Sequence, residues 1–310
     1  MAHMPAVEAS GLTRRFGTLT AVDGLSLSVA RGEIFGLVGP DGAGKTTTMR
    51  LLTGVMGATQ GSARVLGIDV AREVEAVRHR IGYVPQSSSL YADLSVQENL
   101  HFYADLFSVP RVERNRKSAE LLAFSRLGPF AKRLVRNLSG GMRQKLALCT
   151  ALIHRPEVLF LDEPTIGVDP VSRREFWLLI YQLLQQGLTL LVSTPYLDEA
   201  ERCHRVALMD HGRLIACDDP EGLRRLLPGT LLELRGPSPE AAAPLVRSLP
   251  NVREAQVFGD TVHLVVTDAA RDLPRLQATL QAEGFPDAHL RPIPPSLEDV
   301  FVTLLRERKT

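Results

Sequence analysis

Apolar positions along the chain fall into two rhythms. Short apolar runs bounded by turn residues, "EIFGLVG" (33–39), "ARVLG", "IGYVP", "EVLFLD", "LTLLVST" and "RVALMD", predict strands, and "LSLSVA" (25–30) predicts one more near the start. From Gly44 onward "KTTTMRLLTGV" carries apolar residues at helical spacing and closes in glycine, and helical periodicity fills most of 96–154 and 170–186. Strands alternating with helices predict a largely parallel sheet covered by helices. The stretch from about 87 to 137 has few strand signals and reads as a helical insertion. In "LLVSTPYLDEAE" (190–201) an apolar strand gives way to a helix start, with Thr194 as cap, Pro195 in the first turn, and Asp198 and Glu199 at the positive end of the helix dipole.

After Pro228-Gly229 the rhythm changes. "LLELRG", a helix-like "EAAAPLVRSL", two β-rich runs meeting at Gly259-Asp260, a helix around "LPRLQATLQAEG" and then "AHLRPIP" follow a β-α-β-β-α-β order. That order predicts a small α+β ferredoxin-like domain over 229–310, closed by a terminal helix "SLEDVFVTLLRER". Val262, Leu264 and Val266 alternate toward helices, which leaves His263 on the other side as a solvated surface residue. The first domain then runs over 5–228. Residues 1–4, "MAHM", resemble a vector-derived leader.

Composition narrows the function. The 36 basic and 35 acidic residues nearly cancel, so no overall field favours nucleic acid as a partner. Three cysteines, Cys149, Cys203 and Cys217, are far apart and form no CxxC, which fits a reducing compartment better than a disulfide framework or zinc site. No apolar run reaches the roughly 18 to 20 residues that span a bilayer. A membrane role therefore requires a separate membrane chain.

Two motifs carry chemistry. "GPDGAGKTT", Gly39 to Thr47, fits G-x-x-x-x-G-K-[ST] between a predicted strand and helix. Gly39, Gly42 and Gly44, with Pro40, Asp41 and Ala43 between them, let successive N–H groups turn inward as an anion nest at a helix N-terminus. Lys45 would reach the β- and γ-phosphates of a nucleotide, and Thr46, followed by Thr47, would offer its hydroxyl to Mg²⁺. "VLFLDEP" (158–164) reads as a buried parallel strand delivering Asp162 to the metal shell and Glu163 to an attacking water as general base.

A third stretch, "LSGGMRQKL" (138–146), lies between these two in sequence. Together with "GPDGAGKTT", "YVPQ" and "LFLDEPTIGVDP", it resembles the nucleotide-binding domain of ATP-binding cassette (ABC) transporters, over about residues 5 to 225. "SLEDVFV" (296–302) extends the likeness to ATPase subunits of bacterial exporters for drugs, antibiotics and other hydrophobic compounds. The resemblance implies a P-loop fold with a RecA-like core, a β-rich N-terminal subdomain and a helical insertion. It implies that Phe16 stacks on adenine, although from the residues alone Phe16 could equally be an edge-strand core residue. It implies that Gln86 touches Mg²⁺ or its water, acts in catalysis beside Glu163 and Lys45, and signals toward a membrane partner. Ser139, Gly140 and Gly141 would contact the γ-phosphate of ATP held by an opposing cassette, and Asp169 would lie at that dimer interface. The helical insertion, with "LYADLSVQENL" (90–100), would receive a permease, placing the chain in the cytoplasm at the inner face of the membrane.

Two departures from the family pattern lie on the γ-phosphate side. Asp41 stands where Asn or Ser is usual, and a carboxylate a few ångströms from a phosphate repels it by about 3 kcal/mol at an effective dielectric near 20. Pro195 stands where the family has its switch histidine. The nearest later histidine, His204, is a poor substitute at nine positions further on. Proline offers neither side-chain donor nor backbone N–H, and losing one transition-state donor costs about 10² to 10³ in rate. The expected activity is that of an ATPase using ATP and Mg²⁺, with intact binding and slow turnover, resembling the first, degenerate cassette of tandem exporter ATPases. Its partners would be a second cassette and an integral-membrane permease. The alternative is a regulatory or non-transport cassette protein linked to ribosomes or nucleic acid.

Overall fold

The computed structural model describes residues 4–307 except Ser88 and Pro237. Apart from Met4, the expected leader lies outside the described residues. Residues 1–217 and 218–310 form two compact units.

The first unit opens with β1 (Val7–Phe16) and β2 (Leu19–Val29), followed by β3 (Ile34–Val38), α1 (Lys45–Leu52), β4 (Gln60–Val65), β5 (Ile68–Asp69), α2 (Val74–Arg78) and β6 (Ile81–Val84). β2, β1, β4 and β5, in that order, form an antiparallel sheet. β1 is not among the predicted strands and β2 extends well beyond 25–30, because the register between them shifts three times, in a stretch that includes Gly11 and Gly24 at positive φ (56° and 63°). Such bulges break the alternation that announces a strand.

Next come α3 (Val96–Leu106), α4 (Arg111–Phe124), α5 (Gly140–Leu152), β7 (Val158–Asp162), α6 (Pro170–Gln185), β8 (Thr189–Thr194), α7 (Leu197–Ala200), β9 (Arg205–Asp210) and β10 (Arg213–Asp218). The second sheet has the order β10-β9-β3-β8-β7-β6, and the pairs from β9 to β6 are parallel. β3, β7 and β8 are buried along their whole length, as expected of strands covered on both faces. Val38 lies level with Thr194 and Asp162 level with Ser193, so the carboxyl ends of these strands meet at one edge, where α/β sheets bind ligands. The helical insertion has its own core, in which Val96 and Leu100 of α3 and Leu122 of α4 meet Leu146 and Cys149 of α5. α3 starts at a capping box in which Ser95 and Glu98 satisfy each other's backbone N–H.

The second unit comprises α8 (Pro220–Arg224), β11 (Thr230–Arg235), α9 (Pro239–Arg247), β12 (Val252–Phe258), β13 (Thr261–Val266), α10 (Ala269–Ala282), β14 (His289–Pro292) and α11 (Leu297–Glu307). Its sheet order, β12-β13-β11-β14 and antiparallel throughout, is that of a ferredoxin-like plait. Leu232, Leu234, Leu264 and Val266 face Ala242 and Val246 of α9 and Leu276 and Leu280 of α10.

Two expectations need correction here. The boundary lies after Cys217 rather than Pro228, because Leu227 packs with Leu231, Val265 and Val300 of α11 and so belongs with the second unit. His263 is not a solvated residue: its side chain is 16% exposed, it stacks on Phe258, and its Nδ1 lies 2.6 Å from Asp299 Oδ1 of α11. The alternation was read correctly, but a terminal helix covers the face to which His263 points.

Candidate functional site

The loop from Gly39 to Gly44 joins β3 to α1 and cannot be built from residues with a Cβ at two places. A Cβ at Gly39 would meet Met209 O at 2.2 Å, and one at Gly44, where φ is 96°, would meet Ala21 O at 2.4 Å. Gly44 is the N-cap of α1, so the first free amides of that helix open toward the loop. Lys45 is 3% exposed, and its Nζ donates to Gly39 O (2.8 Å) and Pro40 O (3.0 Å) while pairing with Glu163 Oε1 at 3.0 Å. Asp41 is exposed, so solvent screens the repulsion expected of its carboxylate.

Asp162 ends β7 with no exposed surface. Ser193 Oγ (2.6 Å) and Thr46 Oγ1 (3.1 Å) donate to its Oδ1, and Tyr83 OH (3.3 Å) donates to its Oδ2. Hydroxyls serve this carboxylate, and among the described residues no lysine or arginine pairs with it. A buried carboxylate without a cation is costly, so the site suits a divalent ion bound by hard oxygens. A carboxylate beside a hydroxyl suits Mg²⁺, which takes one or two carboxylates together with substrate phosphates.

Glu163 follows at φ 51°, left-handed for a non-glycine residue, and such strain concentrates at functional sites. Its amide donates to Ser193 Oγ (2.9 Å) and Ser193 O (3.1 Å), which holds the turn. Its Oε2 accepts from Gln86 Nε2 at 2.6 Å, and its Oε1 meets Lys45. The structure thus brings Lys45, Thr46, Gln86, Asp162 and Glu163 together. It adds Ser193 and Tyr83, which the sequence reading passed over because their parts depend on register across strands.

A family profile described as ABC transporter matches residues 22–166. The daunorubicin resistance ATP-binding protein DrrA2 of Streptomyces coeruleorubidus is 38% identical over 308 residues, covering 98% of this chain and 96% of its own length. This chain belongs to the ABC transporter family. The probable multidrug ABC transporter ATP-binding protein YbhF of Escherichia coli (strain K12) is 42% identical over 304 residues, 96% of this chain and 52% of its own length. The chain thus spans about half of that relative. A solved structure described as the ATP binding subunit of an ABC transporter is 28% identical, with a TM-score of 0.65, covering 71% of this chain and 92% of its own.

The other residues of the ABC pattern lie apart from this cluster. Ser139 is exposed and caps α5 by accepting from Met142 N at 3.3 Å. Gly140 and Gly141 form the first turn, where a Cβ on Gly141 would strike Ser172 Oγ at 2.4 Å. Asp169 is exposed and caps α6 through Ser172 N at 2.9 Å, and that amide bond holds its carboxyl below the usual range. Phe16 is 43% exposed, with the Arg14 guanidinium 4.7 Å above its ring, so it is not a core residue.

The segment around Pro195 departs from its local reading. α7 begins at Leu197 with Tyr196 as N-cap, so Thr194 is not the cap and Pro195 precedes the helix. Thr194 Oγ1 instead accepts from Tyr196 N (3.1 Å) and donates to Glu199 Oε2 (2.7 Å). Glu199 is not a solvated dipole partner but fully buried, and its Oε1 accepts from Thr165 (2.7 Å), Arg173 (2.6 Å) and Trp177 (3.0 Å). Asp198 pairs with Arg173. His204 cannot replace the switch histidine: its Nδ1 accepts from Ile34 N at 3.0 Å, at the start of β3. Four strand steps, about 13 Å, separate that end from the phosphate loop.

Proposed function

We propose that the chain is the ATP-binding and ATP-hydrolysing subunit of a membrane exporter for hydrophobic, drug-like compounds. The observation carrying this reading is the convergence of Lys45 on Glu163 (3.0 Å) and of Thr46 on Asp162 (3.1 Å) beneath a glycine loop at a helix N-terminus. Lys45 exchanges Glu163 for the β- and γ-phosphates. Thr46 and Asp162 would hold Mg²⁺, with Gln86 beside them, and a bound ion would supply positive charge against that developing on the phosphates. Released from Lys45, Glu163 accepts the proton of the attacking water.

Ser139 and Asp169, both exposed at helix N-termini, suit contact with a second cassette and its ATP. That cassette is a second copy or a more complete one, since the chain spans about half of YbhF. Among the described residues no helix is long and apolar enough to cross a membrane. A permease docks on the helical insertion and holds the chain at the cytoplasmic face. The intact loop, Lys45 and Thr46 keep ATP binding, and Pro195 slows its hydrolysis.

Calorimetry with MgATP and steady-state ATPase assays test the reading. The chain binds MgATP, Lys45→Ala weakens binding at least about tenfold, and Glu163→Gln keeps binding while losing turnover. Failure of the unaltered chain to bind MgATP overturns it.

A further inference from the structure

A cavity of about 450 Å³ in the first unit is walled by Tyr83, Tyr103, Phe107 and His154, with exposed Glu75 and Arg78 among its lining residues. Tyr83 is the unusual member of that wall. It sits on β6, the edge strand, level with Phe160 of β7. Its hydroxyl reaches past that position to Asp162 Oδ2 at 3.3 Å. The positively charged Arg50 of α1 lies near the same hydroxyl.

The two oxygens of Asp162 are therefore held from different sides. Oδ1 takes Ser193 and Thr46, the pair facing the phosphate loop, and Oδ2 takes Tyr83. We infer that Tyr83 is a positioning residue for the divalent-cation carboxylate, and that it makes the wall of this cavity respond to cation binding. A carboxylate anchored at both oxygens cannot rotate about its Cβ–Cγ bond. With Oδ2 free, only the Ser193 and Thr46 bonds at Oδ1 resist that rotation, and the carboxylate plane is less tightly fixed. This route is separate from Gln86, which bonds Glu163 rather than Asp162. The inference rests on the MgATP reading above.

The test uses the full chain with a non-hydrolysable ATP analogue. Mn²⁺ binding, followed by electron paramagnetic resonance, weakens about 10- to 100-fold in Tyr83→Phe, the usual effect of losing a partner that orients a metal ligand. Analogue affinity in EDTA stays unchanged. A purely structural role would lower the melting temperature and leave cation affinity alone. In the unaltered chain labelled with 13Cζ-tyrosine there are five tyrosines, and the signal missing from Tyr83→Phe identifies Tyr83. That signal shifts when Mg²⁺ is added to the analogue complex and not when the analogue is added in EDTA. Unchanged Mn²⁺ affinity in Tyr83→Phe, or a Tyr83 signal indifferent to Mg²⁺, overturns the inference. Absence of any analogue binding would instead defeat the ATP-site reading itself.

Discussion

At the scale of single residues, Pro195 is the position where local fit and chemistry part company. It satisfies the chain's need to turn after β8, and on the proposed function it leaves the edge where Gly39 begins the phosphate loop without a histidine donor. Pro195→His in the assembled transporter raises turnover by about 10² to 10³ while MgATP affinity stays within about threefold, as steady-state assays and calorimetry would show. Unchanged turnover would mean that the weak-site account is wrong. Ser193 carries the opposite lesson. Its hydroxyl donates to Asp162 and accepts from the strained Glu163 amide, so Ser193→Ala removes one hydrogen bond from each, while Thr46 still serves Asp162 and Ser193 O still serves the amide. A loss of about 1–2 kcal/mol in urea unfolding is expected for these bonds, together with weaker turnover. Lys45, Thr46, Asp162 and Glu163 were legible because their spacing is local. Ser193 and Tyr83 were not, because only the pairing of β7 with β8 and β6 brings them to Asp162.

At the scale of elements, the segment joining β8 to α7 shows how a buried carboxylate overrides capping rules. Glu199 accepts four hydrogen bonds, from Thr165, Arg173, Trp177 and Thr194, and so ties the end of β8 to α6 and to the turn after β7. Glu199→Ala leaves the buried Thr165, Trp177 and Thr194 donors without this acceptor while Arg173 keeps Asp198, and a loss of about 1–3 kcal/mol is expected in denaturant unfolding. Propensity alone places Thr194 at a helix cap, and it has no means of foreseeing a partner five residues on that is buried by another helix. β3, β7 and β8 were legible because strands covered on both faces are unbroken apolar runs, whereas bulges hid the full length of β1 and β2. The end of α5 adds a pH dependence. His154 Nε2–H donates to Ile81 O at 2.8 Å, its Nδ1 has no partner, and burial above all lowers its pKa from the ordinary value of 6.5. Below pH 6.5 the unfolded chain takes up this proton before the folded one does, so stability falls as pH drops through the folded pKa and the contribution vanishes above 6.5. Melting temperatures between pH 7.5 and 5 fall less steeply in His154→Leu, although that variant is less stable throughout because Ile81 O loses its donor.

At the scale of the whole molecule, the chain divides where packing changes rather than where composition does. Pro228-Gly229 looks like a linker, yet Leu227 on its near side is 8% exposed and shares a cluster with Leu231, Val265 and Val300. Gly222 of α8 is likewise tied to the second unit's first residues, donating to Asp219 Oδ1 at 2.6 Å. A fragment beginning at 218 therefore keeps the cover on this face of the sheet, and one beginning at 229 exposes it. Removing a buried leucine costs about 2–5 kcal/mol, a large share of what so small a domain has. The 218–310 fragment is expected to melt cooperatively, and the 229–310 fragment to melt far lower or not to fold, as circular dichroism would report. Asp299→Ala in the longer fragment separates two contributions to that stability. Asp299 accepts from Ser296 N (2.8 Å) while Ser296, the cap of α11, accepts from Asp299 N, and Asp299 also meets His263, whereas Leu227 supplies apolar cover alone. If 229–310 proves as stable as 218–310, the face beneath α11 does not need α8 and Leu227, and the boundary belongs at Pro228 after all.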